Sequence, residues 1–423
     1  MTGDGTKENP YIIMTAEDFN SLRSIQATDV ASAAYVELGA DINLSRLPNF
    51  TPISSRFLNI DGKGHKITNV SVSASGTGSS INTGLFNTLH CTEYIKNLVI
   101  EGMVTSRITG GTGNGRAGLL AATLRTAGPN GNVVIFENIE CYGSVDVSGQ
   151  GSSTISVLAG GLAGQLNVES NHKASIHKCF FRGAVQSFVA NTSTTAGPNI
   201  VFGGIVGRID LSFSAVASMG LCMTDVDLFV SGTTGVRMGV FGGLCGDCSG
   251  PTNTSTPGRM ISFISCMGKL TVNFNNTGEF NRPLIFTGMM GRNDTSTGNT
   301  GASGMTTEIM NCGCFLTINY DPTVPPLGAL DFNGIHGQGA RTGSVSASYA
   351  VIEYNNPSDT EISETFRIHG LGHTASSANV FFDETVLRKT WSGEVSQENR
   401  GITTVQLQSQ VFLESQGWVF ADA

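Results

Sequence analysis

A chain of 423 residues in which 13% are charged and 54 are glycine departs from an ordinary soluble domain, where about a quarter of residues are charged and about 7% are glycine. The net charge of −9, with no basic cluster to offset it, sets aside nucleic acid and anionic membrane as partners. No apolar run approaches the ~18 residues that span a bilayer, and 9 cysteines scattered at long intervals do not make a small disulfide scaffold.

The opening "MTGDGTKENP" has neither the basic start nor the apolar stretch of a signal peptide, which is expected either of a protein not exported by that route or of one whose leader has been removed. Residues 15–25, "TAEDFNSLRSI", begin with Thr15 as a plausible N-cap and carry apolar positions at helical spacing, which predicts a short helix lid. In "NIDGKGHK", residues 59–66, the glycines lack P-loop or dinucleotide spacing and read as a turn.

From residue 82 onward a frame recurs. It reads "TGLFN" at Gly84, "AGLLA" at Gly118, "GGLAG" at Gly161 and "GGIVG" at Gly204. It continues with "GGLCG" at Gly243, "TGMMG" at Gly288, "NGIHG" at Gly334 and "HGLGH" at Gly370. Successive frames lie 34 to 46 residues apart, the period of stacked units that cannot bury an apolar face alone. Leu85, Leu119, Leu162, Ile205, Leu244, Met289, Ile335 and Leu371 share one register and predict an interior column. One coil per frame would make that column about 34 Å long.

Between frames lie β-type runs such as "YIKNLVIEGMV", "IFENIECYGSVDV" and "EIMNCGCFLTINY". A glycine recurs within many of them and predicts a strand, a corner and a second strand. "SGPTNTSTPG" and "NDTSTGNTGASG" read as loop excursions, and "TTVQLQSQVFLESQGW" as a second helical lid with Trp418 sealing the last coil. The predicted class is all-β, a single-stranded parallel β-solenoid with short capping elements at both ends. The division is a cap at 1–50, a solenoid at 51–380 and a closing segment at 381–423.

The frame G-G-[LIM]-x-G with its downstream N-C-x-x-x-G-x-V-like strand resembles the GLUG repeat of bacterial surface proteins. "GDGTKENPYIIMTAEDFNSLR" is similar to their N-terminal cap, "FLNIDGKGHKITNV" to the coil after it, and "NVFFDETV" with "GITTVQLQSQVFLESQGWVF" to their closing segment. The resemblance implies a right-handed parallel β-helix, a fold shared by adhesins, viral tailspikes and polysaccharide lyases. Fold alone does not choose among them.

Residue chemistry offers few candidates. Cys245 and Cys248 form a Cys-x-x-Cys, but Cys245 sits where Phe86, Leu120, Ala163, Val206, Met290 and His336 sit in other frames. That is a stacking position rather than a redox dithiol, which needs a helix N-terminus. Cys141, Cys179, Cys266 and Cys312 fall near one point of the second half-repeat and predict a buried thiol column. Cys314, near Cys312, lacks zinc-site partners in sequence. Four residues after successive frame glycines stand Gln165, Arg208, Asp247, Arg292 and Gln338. They are expected to form a ladder, either an exposed ion-pair stack worth ~0.5 kcal/mol per pair or the floor of a ligand groove.

Asp210 and Asp294 lie two coils apart, about 10 Å, near the 6.5–9.5 Å carboxyl spacing of inverting glycosidases; they are weak catalytic candidates. His336, His369 and His373, with Arg341 close by, read as polar rungs rather than a metal site. No cofactor or metal is expected. The chain reads as a non-enzymatic attachment rod meeting host glycan or protein. A phage virion appendage (tailspike, fibre or decoration protein) comes first, homotrimeric by analogy with β-helical spikes. A secreted or cell-surface bacterial adhesin is second, and a β-helical glycan hydrolase or lyase third.

Overall fold

A computed structural model describes residues 1–54, 56–77, 80–110, 114–151, 156–191, 199–233, 238–250, 258–277, 284–293, 305–319, 330–338, 343–355, 364–369, 376–383 and 399–402. The chain is a parallel β-helix, and every pairing between its named strands is parallel, joining one coil to the next. A complete coil contributes four strands. In one of them these are Ser156–Gly160, Ala163–Val168, Lys173–His177 and Phe180–Asn191. The equivalents one coil on are Asn199–Gly203, Val206–Leu211, Val216–Gly220 and Met223–Thr233. Coils therefore stack at the strand spacing of ~4.8 Å.

The predicted spine is present. The Leu162 N–H donates to Ile205 O at 3.0 Å, Ile205 to Leu244 at 2.8 Å and Leu244 to Met289 at 2.9 Å. All four side chains are buried, as is Ile335; Leu371 lies outside the described residues. One register correction applies at "AGLLA". Leu85 donates to Leu119, but Leu119 donates to Gly161 and Leu120 to Leu162. Ala117 pairs with Ala159 and Ala121 with Ala163, so this corner is as long as the next one and Gly118 stands opposite Gly160. That brings Leu120 rather than Leu119 to Leu162. The corner at Gly84 is one residue shorter, with Thr83 paired to Ala117 and Phe86 to Ala121. Beside the spine runs an aromatic column. Phe202, Phe241, Phe286 and Phe332 are in register, with Phe241 and Phe286 stacked at 4.9 Å and 9°. Each such burial contributes about 1.5–3 kcal/mol.

The corner of the second half-repeat is not at the recurrent glycine. Gly102, Gly143 and Gly183 stack in register inside continuous strands. A Cβ on Gly143 would lie 1.7 Å from the Gly102 carbonyl oxygen, and its φ is +138°, so glycine is needed there both for close approach and for the backbone conformation. The turn comes earlier, at Asn97, Asn138, Lys178, Leu221, Ser265, Asn311 and Ala347, whose φ values are 44–54°. One residue in the left-handed region redirects the chain, and Asn is the cheapest non-glycine choice there. The Asn138 Nδ2 donates to Asn97 Oδ1 at 3.1 Å, and Asn97 Nδ2 to Asp61 Oδ1 at 3.0 Å.

At the N-terminus the helix is Ala16–Ser21, with Thr15 accepting from the Asp18 N–H and a 3₁₀ turn over Leu22–Ser24. Phe19 from this helix lies 6.0 Å from both Phe50 and Phe86, covering the first coil. The parallel stack extends beneath the helix, since Tyr11–Ile13 pairs with Ala34–Leu38 and that strand with Arg56–Asp61. The segment containing Trp418 lies outside the described residues. No helix among the described residues is long and apolar enough to cross a membrane.

Candidate functional site

The glycine frame builds a cleft on the outside of the tube. In the strand before each frame, Leu158, Val201, Val240 and Ile285 are in register and alternate with core residues such as Val157 and Ala159. They point away from the interior, yet all are at most 3% exposed. What covers them is the strand after the frame, folded back so closely that only glycine fits opposite. A Cβ on Gly291 would lie 2.5 Å from Val240 Cγ1, and one on Gly337 would lie 2.9 Å from Ile285 Cγ2. The last glycine of G-G-x-x-G is therefore the apex of an outer cleft with an aliphatic wall.

The opposite wall is polar. Gln165, Arg208, Asp247, Arg292 and Gln338 occupy one register column; the side chain of Gln338 lies outside the described set. The ladder is not an exposed one. Asp247 is 1% exposed and receives Arg292 Nη2 at 2.9 Å and Nε at 3.2 Å, with Arg208 Nε at 4.0 Å. Asp210 stands one alternation further out, in register with Asn167 and Ser249. Its carboxylate receives Arg208 Nε at 2.7 Å, together with Gln165 Nε2 and the Ser249 hydroxyl. Ser249 Oγ in turn accepts from Arg208 Nη2 at 2.5 Å.

Arg116 joins this network across the cleft, donating from Nε to Gln165 Oε1 at 2.5 Å. Burial lowers its pKa and nearby Arg208 adds to the effect, with Asp210 opposing. Sequence reasoning misses Arg116 because it precedes the frame glycine, and only folding back brings it to Gln165.

Asp294 lies outside the described residues, so its pairing with Asp210 has no geometry here, nor have Arg341 and His373. His336 pairs in register with Met290 and His369 and is fully buried, in the column of Ala163, Val206 and Cys245. No group of three or more His, Cys, Asp or Glu side chains among the described residues could hold a metal ion. A cleft of about 350 Å³ near the N-terminal helix is lined by Leu47, Phe50, Val70 and Met103 among others and contains no titratable group.

All nine cysteines are buried and unpaired by disulfides. Of the expected column, Cys179, Cys266 and Cys312 stack together, and Cys222, which is not among the expected members, stands between Cys179 and Cys266. Each directly follows a left-handed corner residue, and the N–H groups of Met223, Met267 and Gly313 donate to the carbonyls of Cys179, Cys222 and Cys266. Cys141 does not belong to it. It lies two residues further along its strand, in register with Ile100 and Phe181, in the column that also holds Cys314. Cys245 Sγ donates to the Asp247 carbonyl and Cys248 Sγ contacts Met305 Sδ at 3.5 Å. Burial, helped by nearby Asp247, pushes both thiols up, the opposite of a reactive dithiol.

No family model matches the chain, so the GLUG resemblance stands on the quoted residues. A stretch of 151 residues is 31% identical to halomucin of Haloquadratum walsbyi; it covers 31% of this chain and 2% of that protein. The chain thus spans a small fraction of its curated relative. A crystal structure of a candidate immunoglobulin A1 protease from Bacteroides ovatus is similar over 88% of this chain and 86% of that one, with 19% identity and a TM-score of 0.43.

Proposed function

We propose that the protein is a non-enzymatic rod displayed on the outside of a particle or cell, which holds a glycan- or protein-contacting surface away from its attachment point. The observation that carries this reading is the unbroken spine from Leu162 through Ile205 and Leu244 to Met289, around which every wall stacks in register. Such an object supplies length and stiffness, and its repeating outer faces supply many similar contacts. The charged ladder supports the same reading, because Arg292 and Asp247 are committed to each other rather than presented to a substrate.

Two settings follow, a virion appendage and a secreted or cell-surface adhesin. The similar stretch of halomucin belongs to a cellular organism, which favours the cell surface as the second reading. An exposed apolar stripe of Leu221, Met223, Ile264 and Met310 along one outer corner supports side-by-side association, and a homotrimer belongs with the virion setting. Sedimentation equilibrium measures that directly.

The deciding experiment incubates the purified protein with surface polysaccharides and intact cells, scoring retention and released sugar separately. Retention without new reducing ends or unsaturated products is expected. Turnover that Asp210→Asn abolishes would replace the attachment reading with the glycan-cleaving one.

A further inference from the structure

We infer that the mouth of the outer cleft at Arg116 is a binding site for the carboxylate of an acidic sugar. The inference rests on the glycan-attachment reading and names the glycan class. The pairing of charges along the cleft motivates it. Arg292 is matched by Asp247, and Arg208 by Asp210. Arg116 has only the neutral Gln165 oxygen, bound at Nε, so the terminal nitrogens of its fork have no carboxylate among the described residues. Segments 111–113 and 152–155, which interrupt the neighbouring strands, contain no Asp or Glu. In a chain of net charge −9, this half-buried guanidinium is the surplus cation of the cleft.

Two orphaned acceptors lie beside it. Asn82 is directly below Arg116 in the same outward column, and its Oδ1 is buried without a hydrogen-bond partner. Asn167, on the polar wall between Arg125 and Asp210 in register, has a buried Oδ1 in the same condition. Buried polar atoms are rarely left unpaired, and such orphans point to a missing water or ligand. A forked donor flanked by acceptors wants a ligand with one carboxylate and several hydroxyls. That combination is a uronate. The carboxylate takes the two terminal N–H groups of Arg116 side by side, while hydroxyls donate to the Asn82 and Asn167 oxygens. Gln165 holds Nε and so fixes the plane of the fork. Asn82 and Asn167 stand two coils apart on opposite walls, about 10 Å along the axis alone, which suits a short oligosaccharide better than a single ring.

The test is calorimetric titration with a glucuronate-containing tetrasaccharide and with the same tetrasaccharide after reduction of its carboxyl groups to alcohols. The intact protein should prefer the acidic form by about tenfold, and the preference should shrink as salt rises. Arg116→Gln should bind both forms equally, Arg116→Lys should restore part of the preference, and Asn82→Ala should weaken both forms while keeping it. Circular dichroism on each variant checks that the coil stack survives. Equal binding of the two sugars by the intact protein, or a preference that persists in Arg116→Gln, overturns the inference and leaves the attachment reading standing. Failure to bind either sugar, to retain polysaccharide and to retain cells overturns both.

Discussion

Arg292 and Asp247 belong to adjacent coils and meet in a two-pronged pair at 2.9 and 3.2 Å, with Asp247 1% exposed and Arg292 15% exposed. Removing one partner of such a pair leaves a charge that water reaches poorly, a cost of about 3 kcal/mol. Asp247→Asn is expected to lower the denaturant midpoint accordingly. Arg182 and Asp225, at 3.2 Å with Arg182 63% exposed, provide the comparison. Arg182→Ala should cost under about 1 kcal/mol. Equal effects at the two sites would mean that the cleft is wet.

Acid sensitivity should begin at His90. Burial pushes its imidazole down to about 4, nearby Arg125 adds, and Glu169 opposes; the ring stacks on Phe57 at 4.3 Å. An unfolded histidine titrates near 6.5. Between those values the unfolded chain holds the extra proton, so stability is full above about pH 6.5 and falls as the pH drops towards 4. His90→Phe keeps a ring against Phe57 and should flatten the melting temperature across that window. Asp61 acts lower. Its burial alone would raise the pKa, but the Lys63 N–H, Asn97, and the charges of Lys63 and Lys96 outweigh it and lower it. Its contribution should therefore persist to about pH 4 and vanish only below. A melting curve flat from pH 7 to pH 4 in the unaltered protein would sink the His90 assignment, and one with no further loss below pH 4 would sink that of Asp61.

The thiols should be silent in the native state. Every cysteine is buried and reduced, and burial holds the Cys248 and Cys141 thiols well above their usual range. A thiol-reactive disulfide dye should find no fast-reacting group in the folded protein, then all 9 after denaturation. Rapid labelling of Cys245 or Cys248 in native buffer would return the Cys-x-x-Cys to redox chemistry. Cys245→Ala should keep the fold, because that column accepts Val206 on the preceding coil and Ala163 on the one before it.

Much of this architecture is legible in the residues, and the gaps have physical causes. The glycine frame sets the coil boundaries, which place Gln165, Arg208, Asp247 and Arg292 in one column. Counting from that frame works while each corner has the same length; it slips between Gly84, whose corner is one residue shorter, and Gly118, which stands opposite Gly160 rather than Gly161. The second corner is misplaced when its glycine is taken for a turn. There the turn falls to Asn97, Asn138 and even Leu221, and the glycines serve close approach, with a positive φ as well at Gly143. Burial of the ladder is invisible in sequence for a related reason. A strand's alternation tells which side chains point out, but not that another outward face folds back over them. Arg116 reaches the cleft only through that fold-back, and its sequence signal is an arginine two residues before a frame glycine.

Two glycines separate close packing from backbone freedom as the reason for the frame. Gly246 has no left-handed φ, but a Cβ there would lie 2.4 Å from the Phe202 carbonyl oxygen and 2.7 Å from that of Gly207. Neither atom can move without disturbing a strand on each side, so Gly246→Ala should cost about 3 kcal/mol or more. Gly64 is the converse, with φ at +81° and no atom within 4 Å of the place a Cβ would take. Gly64→Ala meets only the left-handed penalty of about 1–2 kcal/mol. The two variants also differ in reach. Gly246→Ala forces apart the aliphatic and polar walls of the cleft and should expose Val240 and Asp247, raising hydrogen exchange in both flanking strands. Gly64→Ala should leave those strands protected. If Gly246→Ala melted with the intact protein and kept its exchange pattern, the two strands would not be packed back to back, and the cleft at Arg116 would lose its wall.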